Sequence, residues 1–200
     1  EEDSGSSAEG GLTAVKKLVN VNDVATLDVA NSGPAVAAVD YLRRQEIPWF
    51  TNVGGTSDLD QAIGEYGFRT VVGDTAVYRM VGLAFKEELD AESVAILHGT
   101  GRGQVSEAEA FVGPFVDEMG GEITAKIETP SGQTDYSEQL NNALDENPDV
   151  LLLSMPESTG ATIVKDWASM GKPVPIFISD DLATDSFIES AGESNVEGMV

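Results

Sequence analysis

Cysteine is absent from these 200 residues, and histidine occurs once. The first absence excludes disulfides, thiolate nucleophiles and cysteine-based metal sites. The second makes any Ser-His-Asp arrangement depend on His98 alone and removes the material for a histidine-rich metal centre. Cations are scarce as well: 11 Lys and Arg stand against 35 Asp and Glu, a formal net charge of −24. Nucleic acid and anionic membrane surfaces are held through Lys and Arg, so both are excluded as partners. No apolar run is long enough to span a bilayer, and no signal-peptide pattern opens the chain. Tandem repeats and low-complexity linkers are also missing.

What is present is apolar residues in regular order, enough to build cores in one domain or two small ones. Strongly acidic chains are either disordered or folded beneath an acidic surface, and recurrent apolar strand and helix patterns favour the folded case. Proteins of salt-loving microbes carry such surfaces. At molar salt the Debye length falls to roughly 3 Å and screens the self-repulsion.

Helix patterns are expected from Ser6 or Ser7 to about Val19, over Ala35–Arg44 and over Thr75–Leu89. Strands are expected at Val24–Leu27, Pro48–Thr51, Val94–Leu97, Ile123–Ile127, Val150–Leu153 and Pro175–Ile178. Further helices are expected at Ser106–Met119, near Tyr136–Leu144, at Ser158–Met170 and at Thr184–Ser190. Alternation of this kind with short loops predicts a parallel α/β fold. A boundary between lobes is placed near Ala91-Glu92, where a long helix ends and a new run of units begins.

Two strand ends break into small residues, Asn31-Ser32-Gly33-Pro34 and Asn52-Val53-Gly54-Gly55-Thr56-Ser57. Glycine lets backbone approach a ligand closely, and hydroxyls and N–H groups at a helix start bind carboxylates. Loops after adjacent parallel strands share the carboxyl edge of the sheet, where open α/β sheets bind ligands. Ser32 and Thr56 could equally be helix caps. Asp180 could cap the next helix or pair with a ligand ammonium, whereas Asp181 reads as solvated or capping. Gly99-Thr100-Gly101-Arg102-Gly103 resembles part of a dinucleotide-binding turn, but Gln104 stands where the third glycine belongs. His98 reads as a hydrogen-bonded scaffold residue, and Trp49 and Trp167 read as core. No metal-ligand cluster and no cofactor motif beyond that glycine turn is evident.

Several pieces keep a common order: Ala14-Val15-Lys16-Lys17-Leu18-Val19, Asn31-Ser32-Gly33, Ile47-Pro48, Phe68-Arg69-Thr70-Val71, Thr134-Asp135-Tyr136-Ser137, Pro148-Asp149-Val150, and Asp180 with Leu182-Ala183. The ordered set resembles the solute-binding proteins of branched-chain amino-acid ABC transporters, the type I periplasmic-binding fold. The resemblance implies two Rossmann-like lobes with parallel sheets flanked by helices. Residues 1–90 would form an incomplete first lobe, 91–195 the second lobe, and 196–200 a strand returning toward the hinge. It further implies that relatives begin with a strand and helix ahead of Glu1 and continue beyond Val200.

Carried over residue by residue, Ser32 matches the carboxylate-binding hydroxyl and Val53 a backbone carbonyl that meets the ligand ammonium. Gly55 aligns with a hydroxyl residue that Thr56, one place on, could replace. Asp180 matches the acid that pairs with the ammonium. Arg102 stands where relatives place an aromatic, and Met155 or Pro156 stands near another. Arg102 could bind a second carboxylate bidentately or pair with surface acids.

The implied function is non-enzymatic: closure of two lobes on an amino acid or similar small carboxylate and delivery to the membrane permease subunits of an ABC importer, without cofactor. The location implied is extracytoplasmic, with a membrane anchor in the full-length protein. A sensor domain of the same fold is an alternative, and a nucleotide-dependent oxidoreductase using Gly99–Gly103 is the alternative of a different class.

Overall fold

A computed structural model describes residues 1–5 and 7–199. The chain divides into two compact units, one comprising Glu1–Tyr78 with Gly101–Glu107 and the other Arg79–Thr100 with Ala108–Val200.

The first unit contains α1 (Ala8–Asn20), β1 (Leu27–Asp28), α2 (Ser32–Gln45), β2 (Trp49–Thr51), α3 (Asp58–Ala62), β3 (Gly67–Arg69) and the start of α4 (Asp74–Glu88). Its strands form a parallel sheet in the order β1-β2-β3, with Leu27 opposite Trp49 and Thr51 opposite Arg69. Val15, Leu27, Val39, Leu42, Trp49 and Leu59 belong to its apolar core. A fully buried side chain such as Leu42 contributes roughly 1.5–3 kcal/mol. Ser7 caps α1 by accepting the Gly10 N–H at 3.1 Å; its alternative, Ser6, lies outside the described residues.

Two boundaries differ from the sequence expectation for local reasons. The first strand begins at Leu27 rather than Val24, because Asp23 turns through a φ of 51° and the Val24 N–H bonds back to Leu18 O at the end of α1. Helix α2 begins at Ser32 rather than Ala35. Pro34 is tolerated there because an N–H in the first helical turn has no intrahelical partner to lose.

The second unit holds the rest of α4, then β4 (Ser93–His98), the second half of α5 (Arg102–Gly113), β5 (Glu122–Glu128), α6 (Ser137–Leu144), β6 (Val150–Ser154), α7 (Glu157–Ser169), β7 (Ile176–Ile178), α8 (Asp185–Ala191) and α9 (Glu193–Val196). Its four parallel strands lie in the order β5-β4-β6-β7. Val94 to Leu97 and Val150 to Leu153 are buried along their whole length, as expected of central parallel strands covered on both faces. β5 is an edge strand with Glu122, Lys126 and Glu128 along it, charges that discourage edge-to-edge pairing. Beyond α5 the helix widens into a π turn over Pro114–Glu118, closed by the Met119 N–H on Pro114 O at 3.1 Å. Pro114 lacks the N–H that would have continued the α-helical ladder.

The boundary between these two compact units falls inside α4. The Asp74 N–H and the Tyr78 hydroxyl are bound to Gly55 and Glu107 of the first unit, whereas Phe85 packs on Phe111 and Phe177 in the second. At the other end, Val196 closes the four-residue helix α9, and the Met199 N–H bonds back to Val196 O. The strand expected over 196–200 is therefore not formed through Met199; Val200 lies outside the described residues.

Candidate ligand site

Because β1, β2 and β3 are parallel, the loops that follow them leave the same edge of the sheet. Those loops lead to Ser32, to residues 52–57 and to Asp74, all within the first unit. Ser32 is the first helical residue of α2 and is buried, only 8% exposed. The cap position belongs to Asn31, at φ 69° and ψ 143°, and its side chain makes no capping bond. Thr56 is not a cap either: Ser57 precedes α3, and the Thr56 hydroxyl is fully buried without a hydrogen-bond partner among the described residues.

The 52–57 loop is held by many contacts. The Gly54 N–H bonds to Thr51 Oγ1 at 3.0 Å and the Gly55 N–H to Val53 O at 2.9 Å. Arg69 Nη1 donates to the carbonyls of Gly55 (3.4 Å) and Thr56 (3.3 Å), and its Nη2 pairs with Asp60 at 2.5 Å. The Ser57 N–H reaches Ser106 Oγ at 3.3 Å, and that hydroxyl donates to Asp74 Oδ2 at 2.6 Å. Asp74 in turn gives its own N–H to Gly55 O at 2.8 Å. Its carboxylate at the start of α4 also meets the favourable end of the helix dipole. The carbonyl of Val53 thus already accepts one hydrogen bond, and its side chain is exposed.

Of the six residues singled out in the sequence, Ser32, Val53, Gly55, Thr56 and Arg102 fall in the first unit and Asp180 in the second. Arg102 is the first residue of α5 and pairs with Asp58 at 2.7 Å. Asp180 opens a 3₁₀ turn, Asp180–Leu182, just after β7, and is exposed. It does not cap α8; Thr184 does, accepting the Phe187 N–H. Of Asp181 only the backbone is described.

Sequence reasoning passed over Asp74, Ser106 and the partner acids Asp58 and Asp60. Their link to the loop is made by residues up to 49 positions apart, so no local spacing could signal it. Among the described residues no group of three His, Asp or Glu is arranged to hold a metal ion. His98, nearly buried at the end of β4, places Nδ1 2.9 Å from the Gly99 carbonyl. A carbonyl only accepts, so Nδ1 carries the hydrogen there.

A family model described as periplasmic binding protein matches residues 1–200. This chain belongs to the periplasmic binding protein family. No curated protein matches it significantly. Among solved structures, it is similar to a leucine-binding protein from Thermotoga maritima, at 22% identity and a TM-score of 0.88, over 98% of this chain and 56% of that one. It is similar to a branched-chain amino-acid substrate-binding protein from Streptococcus pneumoniae in complex with isoleucine, at 19% identity and a TM-score of 0.81, over 97% and 55%. It is also similar to an ABC-transporter solute-binding protein from Rhodopseudomonas palustris in complex with 3,4-dihydroxybenzoic acid, at 21% identity and a TM-score of 0.79, over 96% and 53%. The present chain therefore spans about half the length of these structures. At such identities the likeness establishes the type I α/β fold of this periplasmic binding protein and leaves its ligand to its own residues.

Proposed function

We propose that this chain is the ligand-binding portion of a substrate-binding component of an ABC importer. It takes an amino acid or a similar small carboxylate outside the cytoplasm and passes it to permease subunits, the full-length protein being anchored at the membrane. The observation that carries this is the family match over residues 1–200. In this proposal residues 1–90 supply part of one lobe and 91–195 the other, and capture is by hinge closure, ligand contacts favouring the closed population. Ser32 binds the ligand carboxylate at the start of α2, and Val53 O with the Gly55-Thr56 segment meets its polar head. Asp180 is assigned to the ammonium on the resemblance alone.

A sensor domain of this fold would bind its ligand in the same way; a membrane span and signalling domain in the full-length gene would favour it. Against an oxidoreductase built on Gly99–Gly103 stands Gln104. Its Oε1 would lie 2.2 Å from a Cβ on Gly101, so the side chain covers the glycine that a pyrophosphate would have to approach.

Thermal unfolding in concentrated salt tests the assignment. A bound amino acid or aromatic acid at a hundredfold excess over Kd should stabilise by about 2.7 kcal/mol, which raises Tm by roughly 5–10 °C. Stabilisation by NAD and by no amino acid or aromatic acid would refute the importer assignment.

A further inference from the structure

His98 closes β4, the strand from which the second unit's sheet is wound in both directions. The spatial order β5-β4-β6-β7 means that the chain leaves β4 for β5 on one side, then returns past it to β6 on the other. The helices that follow β4 and β6 therefore lie on opposite faces. Ile163, Val164 and Trp167 of α7 share a core with Leu151, Leu153 and Ile176. Phe111 of α5 packs on Phe85, which meets Phe177, and Phe177, next to Ile176 along β7, faces the other way. Such a divergence leaves a crevice outside the carboxyl ends of the two strands, the place where open α/β sheets take ligands. His98 and Ser154 are the facing residues at that point, and the Gly99 N–H bonds to Ser154 O at 2.9 Å.

The His98 side chain is buried, only 4% exposed. Its Nδ1 gives a hydrogen to the carbonyl of Gly99, the first residue of the loop, at 2.9 Å. With that hydrogen on Nδ1, the neutral ring keeps a lone pair on Nε2. Nε2 has no hydrogen-bond partner among the described residues. A buried acceptor left in that state costs roughly 1–3 kcal/mol, a cost that a ligand donor removes. We propose that His98 is a specificity-determining residue, its Nε2 accepting a hydrogen bond from a hydroxyl or amide N–H on the ligand. The ligand class is then a small carboxylate that carries such a donor away from its acid group, rather than one with a wholly apolar side chain. This rests on the solute-binding assignment and narrows it.

The test is calorimetric titration of the untagged 200-residue chain in concentrated KCl with three matched pairs of probes. Valine and threonine, and benzoate and 4-hydroxybenzoate, differ by a hydroxyl; leucine and asparagine differ by a carboxamide. In at least one pair the donor-bearing member should bind about tenfold more tightly, the size of one hydrogen bond, and that pair tells hydroxyl from amide. His98→Asn keeps an N–H for the Gly99 carbonyl but has no atom at the place of Nε2, so it should erase the preference. His98→Gln, which brings an amide oxygen near that place, should keep part of it. As the only histidine of the chain, His98 also gives a single pair of ring nitrogen signals in long-range ¹H–¹⁵N spectra of the wild type. The preferred probe should move the Nε2 signal more than that of Nδ1, a readout that does not depend on either variant folding. An Nε2 signal unmoved at saturation would overturn the inference, as would a preference that survives in His98→Asn or equal binding within every pair. Binding of none of the six probes would instead overturn the solute-binding assignment on which it rests.

Discussion

Arg102 Nη1 lies 2.7 Å from Asp58 Oδ2, joining the first residue of α5 to the first residue of α3. Both side chains are about half exposed, so the pair contributes little to stability, less than about 1 kcal/mol. Its interest is in selectivity, because Asp58 holds the guanidinium that could otherwise receive a second ligand carboxylate. Asp58→Asn is expected to raise affinity for glutamate relative to leucine by releasing Arg102, and Arg102→Tyr to lower it. Neither variant should move Tm by more than about 4 °C. Titrations that give the same ranking of the two amino acids in all three proteins would exclude Arg102 from ligand selection.

Thr56 separates stability from binding in one substitution. Its hydroxyl is buried without a partner among the described residues, a state that costs roughly 1–3 kcal/mol of desolvation. Thr56→Val keeps the shape and removes the orphan group, so the unliganded protein should gain about 1 kcal/mol, or a few degrees in Tm. If the hydroxyl awaits a ligand, the same variant loses about tenfold in amino-acid affinity. A fall in Tm would show that the hydroxyl is satisfied in solution, and unchanged affinity would remove Thr56 from the site.

The parallel α/β fold was legible because each unit has its own period: apolar runs such as Val94-Ala95-Ile96-Leu97 alternate with amphipathic helices such as α7. Every expected strand and helix has a counterpart, displaced by a few residues, apart from the strand expected at 196–200. The displacements arise where hydrogen bonds outrank pattern, as in the Val24 N–H turned back to Leu18 or α2 started ahead of Pro34. β3 went unpredicted because three residues, Gly67–Arg69, carry no period to read. The small-residue loops were legible as such, but what fills them was not. That Asp74 occupies the side-chain space of Gly55, and that Asp58 holds Arg102, are facts of packing between segments 19 and 44 residues apart.

Asp149 sets an acid limit on the second unit. Its Oδ2 accepts the Ser93 hydroxyl and the N–H groups of Glu92 and Ser93, each at 2.9 Å, tying the start of β4 to the start of β6. The Ser93 hydroxyl first, then the two backbone N–H groups, hold the carboxyl below its ordinary value of 3.8. A carboxylate whose pKa is depressed by folding adds stability that is complete above its unfolded value and lost as pH falls through the folded one. Asp135, which accepts the Ser137 N–H ahead of α6, acts with the same sign. Discounted for solvent exposure, Asp149→Asn should cost about 1 kcal/mol at pH 7, a fall of roughly 2–4 °C in Tm. The difference from wild type should shrink below pH 4. A difference that stays constant from pH 7 to pH 3 would mean that the lost contact owes nothing to the charge.

The acidic surface makes stability depend on screening. With 11 cations against 35 acids, even complete one-to-one pairing would leave a charge of −24 uncompensated. Pairs such as Lys17–Glu2 and Arg79–Glu118 are surface contacts of small value. Other acids, among them Asp145, Glu146 and Glu189, are exposed. Compacting the chain brings these charges together, so the unfolded state gains more than the folded one from low salt. The Debye length falls from about 10 Å at 0.1 M to about 3 Å at 1 M, below the usual spacing of surface charges. Tm should therefore rise by several degrees between 0.1 and 1 M KCl and then level off, because screening is by then nearly complete. Continued linear gain above 1 M, matched by a neutral excluded osmolyte, would assign the effect to strengthened apolar burial instead. A Tm that does not change with KCl at all would mean that the acids lie far enough apart in the folded protein for their repulsion to be negligible even at low salt.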